Sequence, residues 1–180
     1  MKTLWTFVLL TGLIISCTSS PDPAIAEAEA AKKALAEEHI TLVKKFMAGF
    51  ETGEVEAWRE MCTDDFVTLG PGIDAEATLD EYIESMKGVH EAIDSLKMNT
   101  IAILPYTMEE GELAGDYVFW WGTNSGYLVK EGKSVKVMLH TVYKIKEGKI
   151  QWTADYWDTG DAERQLSGDN KVKKEEGTET

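Results

Sequence analysis

The sequence has few basic residues and few cysteines, and both shortages exclude classes of function. Its 180 residues include 18 Lys and Arg against 32 Asp and Glu, so that the formal net charge is −14. Nucleic-acid binding requires a basic surface that displaces phosphate counterions, and this charge balance argues against it. Only two cysteines and three histidines are present, without the spacing of metal ligands on one element. We therefore expect no metal site and no nucleic-acid partner. The sequence also has no phosphate loop and no dinucleotide-binding fingerprint, so we expect no organic cofactor.

Long apolar runs are also rare, and the one at the start is too short to span a bilayer comfortably. Lys2 precedes an apolar run from Leu4 to Ile15, a pattern typical of a signal peptide. The following Ile14-Ile15-Ser16-Cys17 segment resembles a bacterial lipobox. We predict that residues 1–16 are a lipoprotein signal peptide and that lipidated Cys17 anchors the protein in the bacterial cell envelope, at the outer membrane, facing the periplasm or the surface. The alternative is an ordinary secretory signal with a chance cysteine.

The second cysteine, Cys62, follows Met61 on an apolar stripe. If Cys17 is acylated, no intrachain disulfide can form, and packing alone must stabilise the domain. A buried, unreactive thiol is the simpler interpretation of Cys62, and a nucleophile is the alternative.

The chain divides into a tether, one domain and a tail. We expect residues 17–34 to form the tether and the start of a first helix, residues 35–167 to form the domain, and residues 168–180 to form a disordered tail, because the last segment is polar and charged. With 43% hydrophobic residues and six tryptophans, the chain can build a real core.

Helical patterns occupy the first half of the domain. Apolar residues at three- and four-residue steps predict one long helix from Ala24 to about Glu51, ended by Gly53. A short second helix is predicted from Glu54 to Met61, followed by a strand from Phe66 to Leu69. Thr78 and Glu81 have the spacing of a capping box, which predicts the start of a third helix at Leu79.

The second half of the domain has the alternation of strands. Turn glycines separate four predicted strands over Leu96–Leu104, Gly115–Thr123, Ser134–Ile145 and Lys149–Trp157. Helices grouped ahead of antiparallel strands indicate an α+β fold, with three N-terminal helices on one face of a strongly curved, mainly antiparallel sheet.

The last hairpin contains the strongest candidate for chemistry. If Glu147 and Gly148 form a two-residue turn, strict alternation places His140 opposite Asp155. A carboxylate beside an imidazole raises the pKa of the imidazole and fixes its tautomer, which suits acid–base catalysis. The same pair is also an ordinary way to satisfy two polar residues on a half-exposed sheet. Asp158 follows the strand, either at a pocket mouth or merely at the strand end.

The order of these features resembles the nuclear transport factor 2-like superfamily, in particular SnoaL-like domains. The resemblance extends from about His39 to Leu166 and includes Asp64-Asp65-Phe66, Gly70-Pro71-Gly72, Trp121-Gly122-Thr123-Asn124-Ser125-Gly126 and Tyr156-Trp157-Asp158. It implies a cone-shaped α+β barrel with an apolar pocket at its wide end. It also implies that Asp155 and His140 match the acid–base residues of SnoaL-like cyclases, and that the sheet is a surface through which family members dimerise.

Aromatic residues are numerous enough to line such a pocket. The candidates are Trp58, Tyr82, Trp120, Tyr127, Trp152, Tyr156 and, at the rim, Asp158. The alternative is that the aromatic residues fill the interior completely.

Three functions remain open from the sequence. The first is a lipid-anchored envelope protein that binds a small apolar or aromatic molecule. The second is a cofactor-independent enzyme of the cyclase or isomerase type, in which Asp155 takes a proton next to a carbonyl and His140 donates one. The third is a structural or interaction domain that forms homodimers through its sheet.

Overall fold

The computed structural model describes residues 22–167, and Cys17, the predicted signal peptide and the predicted tail lie outside the described residues. A 3₁₀ turn at Val55–Ala57 joins the first two helices. The elements follow in the order α1 (Pro23–Thr52), α2 (Trp58–Met61), β1 (Cys62–Leu69), β2 (Glu76–Thr78), α3 (Leu79–Ala92), β3 (Ile93–Met108), β4 (Gly115–Leu128), β5 (Lys133–Lys146), β6 (Lys149–Trp157) and α4 (Thr159–Ser167).

Helix α1 begins and ends where its capping residues require. The Asp22 carboxylate accepts a hydrogen bond from the Ala24 amide, and Pro23 occupies the first turn, where no amide proton is needed. Gly53 ends the helix with a φ of 80°, a left-handed conformation that costs glycine little. Residues 22–35 are all exposed, so that the first turns of α1 add no buried side chain to the core.

The six strands form one curled, open sheet in the order β2-β1-β6-β5-β4-β3. The neighbouring strands are antiparallel except for β1 and β6, which are parallel. The predicted α+β fold with a curved, mainly antiparallel sheet is confirmed. The sheet curls around the helices as the cone-shaped fold requires, and β2 and β3 form its two free edges.

Two tryptophans form the centre of the core. Trp58 is fully buried, stacks on Phe46 at 4.3 Å between ring centroids, and donates from Nε1 to the Phe46 carbonyl at 2.9 Å. Trp120 is also fully buried and donates from Nε1 to Thr100 Oγ1 at 2.9 Å. Their polar atoms are therefore satisfied within the core, as buried tryptophans require.

Several local predictions are confirmed and others need correction. The capping box at α3 is present, because Thr78 accepts from the Glu81 amide and the Glu81 carboxylate accepts from the Thr78 amide. The second helix is interrupted by the 3₁₀ turn, and β1 already begins at Cys62, so Asp64 and Asp65 lie within a strand. The short β2 and the C-terminal α4 were not predicted.

Cys62 is a free, buried cysteine. Burial raises the pKa of its thiol to about 12, so that the reactive thiolate is scarce at neutral pH. This environment agrees with the interpretation of an unreactive thiol.

Among residues 22–167, no helix has an apolar stretch long enough to cross a membrane.

Candidate functional site

The hairpin between β5 and β6 turns where the sequence predicts. Lys146 pairs with Lys149, which leaves Glu147 and Gly148 as a two-residue turn. Both turn residues have positive φ angles, 53° and 74°, as expected when the turn must match the right-handed twist of the strands.

One extra residue in β6 then shifts the register. Ile145 pairs with Ile150, but the next paired residue, Lys144, lies opposite Trp152. Gln151 is therefore the extra residue of a β-bulge. Such a bulge reverses the face on which every following side chain of the strand lies.

The bulge makes the predicted pair of His140 and Asp155 wrong. Asp155 lies opposite Thr141, and His140 lies opposite Tyr156. Since neighbouring residues of a strand point to opposite faces, Asp155 and His140 lie on opposite sides of the sheet. Asp155 faces the concave side, where the helices pack, and His140 faces the convex side.

The concave side of the sheet contains a cavity of about 440 Å³ between α1, α3 and strands β3 to β6. Most of its wall is apolar and is formed by residues such as Phe50, Met86, Leu96, Met98, Val137 and Leu139. The charged side chains that line it are Glu76 and Asp155, and the lining includes no basic residue. The cavity therefore suits an uncharged or cationic molecule better than an anion.

Asp155 is the polar centre of this cavity. Thr141 Oγ1 donates a hydrogen bond to Asp155 Oδ1 at 2.6 Å. Burial raises the pKa of the Asp155 carboxyl to about 6, although the Thr141 hydrogen bond and the nearby charge of His140 act in the opposite direction. Burial dominates because a carboxylate loses more solvation than one hydroxyl donor restores. At neutral pH this carboxyl is largely ionised and holds a pKa suited to accepting a proton.

Two tyrosines share the cavity wall with Asp155. Burial raises the pKa of Tyr82 well above its ordinary value, and the negative charge of Asp155 raises it further. Burial and the charge of Asp155 also raise the pKa of Tyr143, against a hydrogen bond with Thr141. Both phenols therefore keep their protons at neutral pH and are available as hydrogen-bond donors.

His140 belongs to an aromatic stack on the convex face. Its ring lies 4.4 Å from that of Trp121 and 5.9 Å from that of Tyr156, between ring centroids. Its Nδ1 is 2.9 Å from the Trp120 carbonyl oxygen, so that Nδ1 carries the proton. The proposed role of His140 as a proton donor in the pocket is therefore not supported by its position.

The predicted pocket residues are divided among three environments. Tyr82 lines the cavity with Asp155. The expectation that the other predicted aromatic residues line the cavity is wrong. Trp58 and Trp120 belong to the core, and Tyr127 is exposed. Trp152 and Tyr156 lie on the convex face because of the bulge. Asp158 lies at the surface, directly before α4. Its carboxylate accepts a hydrogen bond from the Asp161 amide and forms an ion pair with Arg164 in the last turn of that helix.

Sequence reasoning missed several residues that line the cavity. Leu139, Thr141 and Tyr143 alternate along β5 and all line the cavity, so that the alternation of apolar residues in this strand is a signal that could have found Thr141. Asn124 follows from Trp120 by the same alternation along β4, once the strand is extended beyond Thr123. Trp157 had no such signal, since its inward position depends on the bulge.

The described part of the chain contains no group of three or more His, Cys, Asp or Glu residues arranged to hold a metal ion. The chemistry available to the cavity from residues 22–167 is therefore that of two carboxyl groups, several hydroxyl groups and one carboxamide in mainly apolar surroundings.

Comparison with known proteins agrees with this architecture. The sequence pattern of the SnoaL-like domain matches residues 43–152, which contain α2, α3 and most of the sheet. The chain therefore belongs to the SnoaL-like domain family. No curated protein matches its sequence.

Solved structures with the same fold have diverse functions. A protein from Catenulispora acidiphila with a ketosteroid isomerase-like fold, solved with trimethylamine, has a TM-score of 0.58 at 16% identity, covering 70% of this chain and 92% of that chain. An epoxide hydrolase from M. tuberculosis gives 0.57 at 16% identity, covering 74% and 92%. A proposed polyketide cyclase from Bacillus cereus gives 0.59 at 16% identity, covering 72% and 80%. At these identities the likeness shows the nuclear transport factor 2-like fold, while function depends on the site itself.

Proposed function

We propose that this protein binds a small, uncharged, largely apolar molecule in its cavity, with Asp155 contacting the polar group of that molecule. The observation that carries the proposal is a partly buried carboxyl group, hydrogen-bonded by Thr141, in the wall of an otherwise mainly apolar cavity. The volume of about 440 Å³ lies in the range of small-molecule sites. A ligand hydroxyl group would donate the hydrogen bond that the second oxygen of the Asp155 carboxylate can accept.

Binding can be tested by NMR titration with 4-acetyl-4′-hydroxybiphenyl, a flat and largely apolar ketone whose hydroxyl group can donate to Asp155. The cavity-filling substitution Val137→Phe should abolish saturable binding, because Val137 lines the cavity. Val129→Phe is the matched control, since Val129 is exposed and absent from the cavity wall. Equal binding by both variants would place the probe elsewhere and refute the proposal.

A second candidate function is enzymatic proton transfer. Asp155 would abstract a proton from the carbon next to a ligand carbonyl, and Tyr82 or Tyr143 would donate a hydrogen bond to the developing enolate oxygen. The raised pKa of Asp155, about 6, favours this role because a general base works best with a pKa near the working pH. The proton would return from the Asp155 carboxylic acid to the same or a neighbouring carbon, which completes an exchange or an isomerisation.

The acetyl protons of the same probe allow the two functions to be separated. If Asp155 is a base, the protein in D₂O should accelerate deuterium incorporation into the acetyl group, with a rate that rises with pH through about 6. Asp155→Asn should abolish the acceleration, and His140→Gln should leave it intact because His140 lies on the convex face. Probe binding without accelerated exchange would reject the enzyme and leave the binding function in place.

We also propose that the convex face of the sheet pairs two copies of this chain. Exposed apolar side chains on β3 to β6 include Leu104, Tyr106, Trp121, Met138 and Tyr156, and contiguous exposed aromatic surface is typical of interaction sites. Met138→Glu should convert dimers to monomers in analytical ultracentrifugation. Ile73→Glu is the control, since Ile73 is fully exposed outside the sheet. A monomeric parent protein would refute the dimer.

Finally, we propose that Cys17 is lipidated and anchors the domain to the cell envelope. The lipobox-like segment before Cys17 and the exposed first turns of α1, over residues 22–35, support an anchored domain on a stalk. Mass spectrometry of the mature N-terminal peptide should find Cys17 at the first position with attached acyl chains. An unmodified Cys17, or a Cys17→Ser variant that remains in the membrane fraction, would rule the anchor out.

A further inference from the structure

A second cavity lies between α1 and the ends of two strands, where β3 finishes and β4 begins. Its volume is about 350 Å³, and it shares no lining residue with the apolar cavity described above. The helical wall includes Leu35, Ala36 and His39, and the strand wall includes Pro105 and Asp116. We call this space the helix cleft.

The part of α1 that lines the helix cleft belongs to the same face that fills the core. Leu35, Ala36 and His39 lie at the three- and four-residue steps that continue to the buried Val43 and Phe46. Where this face packs in the core, its residues are large and apolar. At the cleft it changes to a small alanine and a histidine, so that apolar side chains do not fill the space against β3 and β4.

His39 is buried, but its ring nitrogens have no partner in the described part of the chain. Only 7% of its surface is exposed. The other two histidines each place a ring nitrogen on a backbone carbonyl oxygen, at 2.7 Å from that of Phe50 and 2.9 Å from that of Trp120. The fully enclosed side-chain atoms without a partner among residues 22–167 are Thr63 Oγ1 and Asn124 Oδ1. Both nitrogens of His39 therefore remain accessible, and the space that its ring lines is the helix cleft.

A carboxylate on the strand wall provides a further acceptor. Asp116 is half-buried, and its Oδ1 accepts a hydrogen bond from Thr107 Oγ1 at 2.6 Å, so that its second oxygen can accept from a ligand. The cleft also contains Lys32 and Glu109, which are mostly exposed and form an ion pair at 3.3 Å. Because these two charges compensate each other, Asp116 contributes the remaining charge of the carboxylates and lysine in the lining.

These groups together define what a ligand of the cleft must offer. A neutral imidazole has one N–H donor and one acceptor nitrogen, so a ligand of His39 must accept one hydrogen bond and donate another. Asp116 requires a second donor. An ammonium group can only donate, which leaves the imidazole N–H unpaired, and an anion is repelled by the carboxylate. Hydroxyl groups both donate and accept, and adjacent hydroxyls on one ring can contact several groups at once.

We infer that the helix cleft is a second binding site, and that it takes a small, uncharged molecule with several hydroxyl groups, such as a monosaccharide, held by His39 and Asp116. The volume of about 350 Å³ lies in the range of small-molecule sites. Leu35 and Pro105 provide apolar surface for the carbon face of a sugar ring. The site is independent of the apolar cavity, because different residues line the two.

NMR titration with four methyl glycosides tests this site: those of D-glucose, D-galactose, D-mannose and N-acetyl-D-glucosamine. At least one of them should shift the ring signals of His39 in a saturable manner. Asp116→Asn should weaken its binding about tenfold, the scale of one hydrogen bond to a charged group. Asp94→Asn is the matched control, because Asp94 is exposed, lies at the other end of the β3–β4 pair and is absent from the cleft lining.

A second variant, His39→Phe, keeps a ring of similar size and removes both nitrogens. It should lose the saturable binding of the glycoside. Without glycoside, its melting temperature should be unchanged or higher, because the removal of unpaired polar groups from a buried position is nearly neutral or stabilising. A lower melting temperature would show that the nitrogens are paired in the free protein, and it would overturn the assignment of His39 to a binding site.

Three other results would also overturn the site or its ligand class. No shift of the His39 signals with any of the four glycosides would mean that the cleft holds water only. Saturable shifts with n-propylammonium, and none with the glycosides, would replace the hydroxylated ligand by a cation. Equal glycoside affinity of the parent protein, Asp116→Asn and His39→Phe would place the sugar elsewhere. None of these results depends on the binding of a biphenyl probe in the apolar cavity, so that the two sites fail separately.

Discussion

Replacing Asp155 by asparagine should stabilise the protein at neutral pH and flatten the pH dependence of its stability. Burial raises the pKa of this carboxyl from 3.8 to about 6 in the folded protein. A raised carboxyl pKa means that the folded state binds the proton more tightly than the unfolded state does. Stability is therefore lost as the pH rises from about 4 to about 6, and the loss persists above pH 6.

The expected magnitude follows from the size of the pKa difference. At about 1.4 kcal/mol per pKa unit, the rise from 3.8 to about 6 corresponds to a loss of about 3 kcal/mol. The carboxamide introduced by Asp155→Asn can still accept from Thr141, but its amide protons must find partners in the cavity. A net gain of about 1–2 kcal/mol at pH 7.5 is therefore expected.

Urea unfolding of both proteins between pH 4 and pH 8 measures this difference. The free energy of unfolding of Asp155→Asn minus that of the parent protein should rise mainly between pH 4 and pH 6. Asp158→Asn is the control, because Asp158 is exposed and an asparagine there can still cap α4. A difference that does not change with pH, or an Asp155→Asn protein that is less stable throughout, would refute the assignment of a destabilising buried charge.

Three further outcomes test other parts of the structure. Trp58→Ala should lower the free energy of unfolding by about 3–5 kcal/mol in urea, because it empties the fully buried centre of the core; a loss below about 1 kcal/mol would contradict that position. Cys62 should react with a thiol reagent at pH 8 only after unfolding, since its thiol is buried with a pKa of about 12; rapid labelling of the native protein would be inconsistent with this. His140→Leu should leave probe binding in the cavity unchanged while altering self-association, because its ring stacks on the convex face; a change confined to binding would reverse the assignment of faces.

Local signals in the sequence were sufficient wherever a few adjacent residues determine the structure. Gly53 permits the left-handed end of α1, and Thr78 with Glu81 satisfies the free amides at the start of α3. Glu147 and Gly148 form the predicted turn. Each of these depends on contacts within four residues, so that no knowledge of the remaining fold is needed.

The candidate site depended on information of another kind. A β-bulge has no periodic signature, because it consists of one residue that interrupts an otherwise regular alternation. Because Gln151 is an extra residue, the side chains of Trp152, Asp155 and Tyr156 lie on the face of the sheet opposite to the one that uninterrupted alternation predicts. The aromatic residues expected in the pocket therefore lie on the convex face, and the carboxyl lies inside.

The sequence by itself determined the α+β class and the helices and turns with local caps, because these follow from periodicity and short-range chemistry. The resemblance to SnoaL-like domains came from the order of matching motifs along the chain. Only the tertiary structure decided which aromatic residues fill the core and which lie outside it. It also decided that Asp155 and Asn124 line the same mainly apolar cavity. The physical reason is that the facing of a strand and the partner of a buried polar group depend on residues far apart in the chain. Asp155 meets Thr141 because one residue shifts the register of β6, and the same shift places Trp152 and Tyr156 on the convex face.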